Sequence, residues 1–225
     1  MKNRLHKEIE TLKKSMLRFV ADVEENVRMS VAALKNVDAD LAQGVIERDI
    51  NIDQTEVQLE EECLKILALY QPVANDLRFI IAVMKINNEL ERISDLSVNI
   101  AERVHFLITR EAVDISFDFP LMAEKVQRML RKSIDALINL DTKRAYNVCA
   151  DDDTVDDMNR EMYQIVEESV QKYPLQTKEL LHYLAISRHL ERIADSATNI
   201  AEDIIYMIDG EIVRHNVEDY AKNSK

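Results

Sequence analysis

The chain has 225 residues, of which only 2 are Gly and 3 are Pro, with 47% hydrophobic residues and a formal net charge of −13. So few turn formers exclude a sandwich or barrel of short strands, and that much apolar content excludes wholesale disorder. The acidic excess excludes nucleic acid as a partner for the surface at large, because phosphate backbones are bound by clustered Lys and Arg.

Helix formers dominate the long stretches between the breakers, and the chain reads as all-α. A first helix is predicted from about Leu5, with Met16, Phe19, Val23, Val27 and Val31 at spacings of three and four, ending near Asn36. Asp38 is placed to cap a second helix running from about Ala39 to Tyr70, with Gly44 its weak point. Gln71-Pro72 breaks it, and Pro72 suits the first turn of a third helix reaching about Arg110. Glu111 to Pro120 has no helical period and reads as a connection. A fourth helix follows from about Leu121 to Leu140, then a fifth from an Asp141-Thr142 cap to Lys172. Tyr173-Pro174 breaks that one, and a sixth runs from about Leu175 to Ile208, closed by Gly210.

Short connections favour antiparallel neighbours, so each half is expected to be an up-down bundle of three helices. The expected units are residues 1–112 and 118–210, followed by a polar tail at 211–225. The N-terminus has no apolar stretch of signal-peptide type. No run of about 18 apolar residues is present, so no membrane span is expected and the protein reads as cytoplasmic. Cys63 and Cys149 lack a CxxC spacing and read as small buried residues in a reducing compartment. The basic run Lys125, Arg128, Arg131 and Lys132 reads as a solvated helix face.

The halves are copies. Leu90-Glu91-Arg92-Ile93-Ser94-Asp95 followed by Asn99-Ile100-Ala101-Glu102 recurs as Leu190-Glu191-Arg192-Ile193-Ala194-Asp195 followed by Asn199-Ile200-Ala201-Glu202, at an offset of 100 residues. A weaker match relates Val45, Asp49, Ile52 and Asp53 to Val148, Asp152, Val155 and Asp156, at an offset of 103. Each unit thus carries one acidic pair at i, i+4 on its second helix and another on its third.

At 100° per residue, Glu91 and Asp95 stand roughly 40° apart on the third helix, with Glu102 on the same stripe and Asn99 at its edge. Ile86, Leu90, Ile93, Leu96, Ile100 and Val104 cluster on the other side. Glu191, Asp195, Asn199 and Glu202 repeat the pattern. Side-by-side packing of the second and third helices would bring the pairs together, and four like charges repel unless protonated or bridged by cations. Oxygen ligands with Asn support suit Mg²⁺, Mn²⁺, iron or zinc. An acidic pair on a helix is equally what a solvated face looks like, and on the residues alone both readings stand.

A di-iron carboxylate enzyme is the catalytic rival, since such bundles use Glu-x-x-His. Glu102 and His105 fit that spacing once, but the second copy has Ile205 where the His should be. No P-loop, GxSxG, HExxH or CxxC motif offers another chemistry. His6, His105, His182, His189 and His215 are scattered and read as ordinary surface or capping residues, His189 the least secure because it neighbours Glu191.

Gln71-Pro72-Val73-Ala74-Asn75-Asp76-Leu77-Arg78, both copies of the L-E-R-I-x-D-x-x-x-N-I-A-E core, and the run from Glu202 to Gly210 resemble the PhoU family of phosphate-transport regulators. The likeness extends over nearly the whole chain. It implies two homologous three-helix bundles in tandem, often as a homodimer, and no enzymatic activity. It also implies multinuclear iron or zinc at E/D-x-x-x-D motifs, which here are Asp49 with Asp53, Glu91 with Asp95, Asp152 with Asp156, and Glu191 with Asp195. Asn99, Glu102, Asn199 and Glu202 are the expected additional ligands. Many members carry His after the motif Asp, where this chain has Leu96 and Ser196. The implied role is negative regulation when phosphate is plentiful, through contacts with a Pst transporter ATPase subunit and a sensor histidine kinase. An accessory role with another phosphate transporter fits the same residues. Membranes are then met only through partners.

Overall fold

The structure is a computed structural model that describes residues 2–111, 113, 115–210 and 212–213. Six long helices carry the chain: α1 Lys2–Asn36, α2 Ala39–Tyr70, α3 Ala74–Ile108, α4 Phe119–Asn139, α5 Thr142–Lys172 and α6 Thr177–Asp209. A short 3₁₀ turn, Pro174–Gln176, precedes α6. The polar tail expected after Gly210 falls outside the described residues, apart from Ile212 and Val213.

The duplication is visible in the turns. Val37 and Leu140, 103 positions apart, both end the first helix of their copy in the left-handed region, at φ 54° and 52°. In each case the next residue, Asp38 or Asp141, donates its backbone N–H to a carbonyl five residues back, Ala33 or Ala136, at 3.0 Å. Those aspartates then cap the following helix. Asp38 Oδ1 accepts from the N–H groups of Asp40 and Leu41, and Asp141 Oδ1 from that of Arg144. One turn thus closes a helix with a Schellman bond and opens the next with a carboxylate cap.

Three helix starts differ from the sequence reading, the sixth because Pro174–Gln176 forms a 3₁₀ turn and α6 begins at Thr177 rather than about Leu175. Pro72 lies outside α3, which starts at Ala74 after an extended Val73, because Gln71 adopts a left-handed conformation that closes α2 on Leu67 first. The fourth helix begins two residues early, at Phe119. Asp118 caps it through the Leu121 N–H at 2.9 Å, and Pro120 takes a first-turn place where no N–H donor is needed. Gly44 marks a close approach, since a β-carbon there would stand 3.0 Å from Met29 Cε on α1.

Within each copy the three helices pack on one another, and the copies meet through α3 on α6 and α1 on α4. The four helices α1, α3, α6 and α4 form the middle of the molecule, with α2 outside one pair and α5 outside the other. A single apolar core runs through both copies, including Phe19, Ile86, Ile93, Met129, Ile193 and Ile200. The bundles are therefore fused along a shared interior.

The α3–α6 contact is antiparallel and in constant register. Lys85 Nζ donates to Asp203 Oδ1 at 2.8 Å, Asn199 Nδ2 donates to Glu89 Oε1 at 3.3 Å, and Phe106 stacks on His182 at 3.8 Å between ring centroids. Each step forward on α3 is matched by an equal step back on α6, which sets Ser94 opposite its own counterpart, Ala194. Two further ties involve α4, one to α1 across the copies and one to α5 within the second copy. Arg131 Nε reaches Glu24 Oε1 at 3.0 Å, and Lys132 Nζ reaches Asp151 Oδ2 on α5 at 2.6 Å. Half of the basic run expected to be a solvated face therefore binds other helices.

Asp203 is 4% exposed, and Lys85 approaches it while lying 5.2 Å from the centre of the Tyr206 ring. Removing one partner of a buried pair leaves the other charge poorly compensated. Lys85→Met is accordingly expected to destabilise the fold by about 1–3 kcal/mol. The added change Asp203→Leu should recover part of that loss, read by urea unfolding of the single and double variants.

Candidate metal centres

The sequence places Asp49 and Asp53 on α2, and Glu91 and Asp95 on α3, and the α2–α3 contact turns the two pairs towards each other. Asp49 and Glu91 are half-buried while Asp53 and Asp95 are exposed. Burial holds the carboxyls of Asp49, Glu91 and Asp95 above their ordinary range. The charge of Asp53 adds to the effect on all three, that of Asp95 to those on Asp49 and Glu91, and that of Asp49 to Glu91. No cation eases these three groups.

Glu56, one turn beyond Asp53, joins the same cluster. Its carboxyl is raised by burial and by the charges of Glu60 and Asp53, and it acts in turn on Glu91. Its position seven residues after Asp49 is the helical signal that would have found it. A buried chain of hydrogen bonds had no such signal. Asn26 Nδ2 on α1 donates to Ser94 Oγ at 2.9 Å, and Ser94 Oγ donates to Asp49 Oδ1 at 2.6 Å. The Ser94 bond favours the charged form of Asp49 and so opposes the effect of burial.

In the second copy, Asp152 and Asp156 on α5 face Glu191 and Asp195 on α6. Burial pushes Asp152 up to about 7, with the charges of Asp156, Asp195, Glu191 and Asp153 acting in the same direction. Nothing replaces the Ser94 bond, because its counterpart is Ala194. Arginines are present here, however. Asp156 is raised mainly by burial but is eased by Arg160, 3.8 Å away, and Glu191 by Arg188 and Arg192. One turn along, the copies use different side chains for the same tie: Asn87 Nδ2 donates to Glu56 Oε1 at 2.9 Å, and Ser187 Oγ to Asn159 Oδ1 at 2.9 Å.

The four additional residues expected as ligands are placed differently. Asn99 turns its amide to its own helix, donating to the Asp95 carbonyl at 2.8 Å, and Asn199 is engaged with Glu89 in the α3–α6 contact. Glu102 is exposed. Glu202 lies where its charge reaches the Cys149 thiol, which burial pushes up to about 12. Cys63 is likewise buried and pushed up to about 12.

The donor set of eight carboxylates, paired across two helix contacts, fits hard or borderline divalent cations. Among the described residues no three His, Cys, Asp or Glu side chains stand close enough to hold one ion between them. Closure round a cation therefore requires rotamer changes, for which the exposed Asp53, Asp95 and Asp195 are free at their surface. His105 and Glu102, the spacing that suggested a di-iron enzyme, belong to no such group.

The PhoU domain family matches the chain twice, at residues 16–104 and 119–204. The chain belongs to the PhoU family. The phosphate-specific transport system accessory protein PhoU homolog of Aquifex aeolicus is 37% identical over 212 residues, covering 94% of this chain and 96% of that one. The crystal structure of PhoU from Pseudomonas aeruginosa superposes with a TM-score of 0.88 at 34% identity, over 92% of this chain and 99% of the other. That of the phosphate transport system regulatory protein PhoU from Streptococcus pneumoniae gives 0.81 at 29% identity, over 93% and 99%. Both acidic clusters of this PhoU-family chain lie within the two matched domains.

Asp152 supplies a pH test. Its folded pKa of about 7 lies above that of an unfolded Asp, so between roughly pH 4 and 7 the folded state holds a proton that the unfolded state releases. Its contribution to stability is therefore greatest at low pH and declines as pH rises through that window. With chelator present, Asp152→Asn is expected to remove this decline and to stabilise the protein at pH 8 by about 1–2 kcal/mol, a figure already discounted for solvent screening. Urea unfolding at pH 5 and pH 8 measures both effects.

Proposed function

We propose that this chain regulates phosphate uptake and phosphate-responsive signalling. It acts by protein contacts with the ATPase subunit of a Pst-type transporter and with a sensor histidine kinase, restraining both when phosphate is plentiful. The observation that carries this reading is the near full-length likeness, through both copies, to a protein named as an accessory of the phosphate-specific transport system. Relatives are named as accessory or regulatory proteins, and no catalytic role is proposed here. The reading places the protein in the cytoplasm as a homodimer, meeting the membrane through its partners. No helix among the described residues is long and apolar enough to cross one.

The ends of the molecule support action by contact. Val73 is 75% exposed and Leu175 98% exposed. They occupy the α2–α3 and α5–α6 connections, which the antiparallel register sets at opposite ends. Both side chains are open to a partner protein at those ends.

Divalent cations, iron or zinc in the first place and Mg²⁺ or Mn²⁺ as alternatives, belong to the same reading. Asp49, Asp53, Glu91 and Asp95 would hold one group of ions, and Asp152, Asp156, Glu191 and Asp195 the other. The chemistry such ions supply is neutralisation of like charges. The carboxylates themselves fix α2 against α3 and α5 against α6 once their repulsion is removed. The raised carboxyls of both grooves support this: burial raises them first, and the neighbouring carboxylates act in the same direction.

Two measurements test the proposal separately. Elemental analysis of untagged protein should show bound metal in the wild type and its loss in Asp95→Ala/Asp195→Ala, and equal content in both removes the cation sites. Deletion of the gene should raise phosphate uptake and phosphate-responsive transcription in phosphate-rich medium. Unchanged levels of both would falsify the regulatory role.

A further inference from the structure

The α3–α6 seam is polar along its length, and its charges are not balanced. Towards the start of α3 the carboxylates are engaged, Asp203 by Lys85 and Glu89 by Asn199. Continuing the register sets Arg92 opposite Ser196 and brings Asn99 and Arg103 beside His189. Among the described residues, none of Arg92, Arg103, Arg188 and Arg192 has a carboxylate within ion-pair distance.

Polar atoms are left over as well as charges. The Nε atoms of Arg92 and Arg103, both ring nitrogens of His189, Ser196 Oγ and Thr198 Oγ1 are buried without a hydrogen-bond partner. Glu89 Oε2, on the same helix as Arg92 and Arg103, is an unpartnered acceptor, and the neutral His189 ring holds one acceptor nitrogen beside its N–H. Burial pulls the His189 ring down to about 4, and Arg103 from one copy with Arg192 and Arg188 from the other act in the same direction, so three guanidiniums lie within electrostatic range of one neutral imidazole. Arg188 and Arg192 also ease the charge on Glu191, yet neither is paired with it.

Unsatisfied buried donors are costly, and in native proteins they are matched by water or an ion. In a chain of net charge −13, an unpaired group of cations is the feature that calls for a ligand. A planar carboxylate offers two oxygens, too few for three guanidinium forks and an imidazole arriving from two helices. A tetrahedral oxyanion offers more, and guanidinium forks match its edges.

We propose that the α3–α6 seam binds a phosphate group between the two copies, held by Arg103 of the first and by Arg188, His189 and Arg192 of the second. The choice of phosphate among tetrahedral oxyanions rests on the regulatory role proposed above, whereas the cationic seam does not. Binding ties α3 to α6, the contact that joins the copies, and does so between the two acidic grooves. A phosphate-loaded chain is thereby a more rigid platform for its partners.

Isothermal titration calorimetry on the full chain, freed of metal with chelator and kept in chloride buffer, tests this with inorganic phosphate and with AMP as separate arms. One phosphate group is expected to bind per chain, and the arm with the tighter binding names the source. Arg103→Gln/Arg192→Gln should weaken binding at least about tenfold, with Arg103→Lys/Arg192→Lys in between because charge is kept and the fork is lost. If the glutamine pair fails to fold by circular dichroism, Arg188→Gln, at an exposed position, should still weaken binding several-fold. The proposal is overturned by silence in both arms up to about 10 mM ligand, or by unchanged affinity in the folded variants. It is equally overturned if binding requires added divalent cation and disappears in Asp95→Ala/Asp195→Ala. Silent calorimetry alongside a clear deletion phenotype removes the anion site and leaves the regulatory role standing.

Discussion

The antiparallel register of α3 against α6 constrains everything else in this molecule. Because equivalent positions of the two copies, Ser94 and Ala194, lie opposite each other, the duplication becomes a two-fold arrangement about that point. One contact then decides where four other things go. It buries the apolar faces of both helices in a common core, turns the acidic stripe of α3 towards α2 and that of α6 towards α5, and sends the turns bearing Val73 and Leu175 to opposite ends. It also creates a polar seam, which is unusual for the interior contact of a bundle, where apolar knobs are the ordinary filling.

The helices were legible because nothing in the sequence competes with them. With so few Gly and Pro residues, each break is marked, and α2 begins and ends where Asp38 and Gln71-Pro72 place it. The acidic pairs were legible for a similar reason: i, i+4 spacing puts both carboxylates on one face whatever the tertiary structure. What lay opposite them was not. The Asn26–Ser94–Asp49 chain joins residues 68 and 45 positions apart, and no local pattern in the sequence carries that pairing. Arg92, Asn99 and Arg103 were hidden for a different reason. Their spacing reads as the solvent side of a helix whose apolar stripe is already assigned, and only the second copy covers it. Asn199 shows the same effect from the other helix, since its engagement with Glu89 crosses between the copies.

Divergence between the copies has altered the two acidic grooves in opposite ways. In the first, a buried serine bond favours the ionised form of Asp49, but no cation eases Asp49, Glu91 or Asp95. In the second, the serine is replaced by Ala194 and Asp152 is pushed up to about 7, while Arg160, Arg188 and Arg192 lower the cost for its neighbours. The first groove thus keeps its negative charges without a basic side chain acting on those three groups. The second has basic side chains acting on Asp156 and Glu191, and one carboxyl that still carries a proton near neutrality.

That difference has a consequence for any cation the grooves share. A ligand must be deprotonated before it coordinates, so binding in the second groove is coupled to proton release from Asp152, and binding in the first is not coupled to Asp49 to the same degree. Under the proposed cation binding, affinity in the second groove would therefore fall as pH drops below about 7. The arginines add to this, because the charges of Arg188 and Arg192 act on both Glu191 in the groove and His189 in the seam. A positive ion drawn to Glu191 raises the local potential felt by those guanidiniums, and a negative ion in the seam lowers it again. Opposite charges bound on either side of α6 therefore favour one another, through two side chains whose charges already act on both.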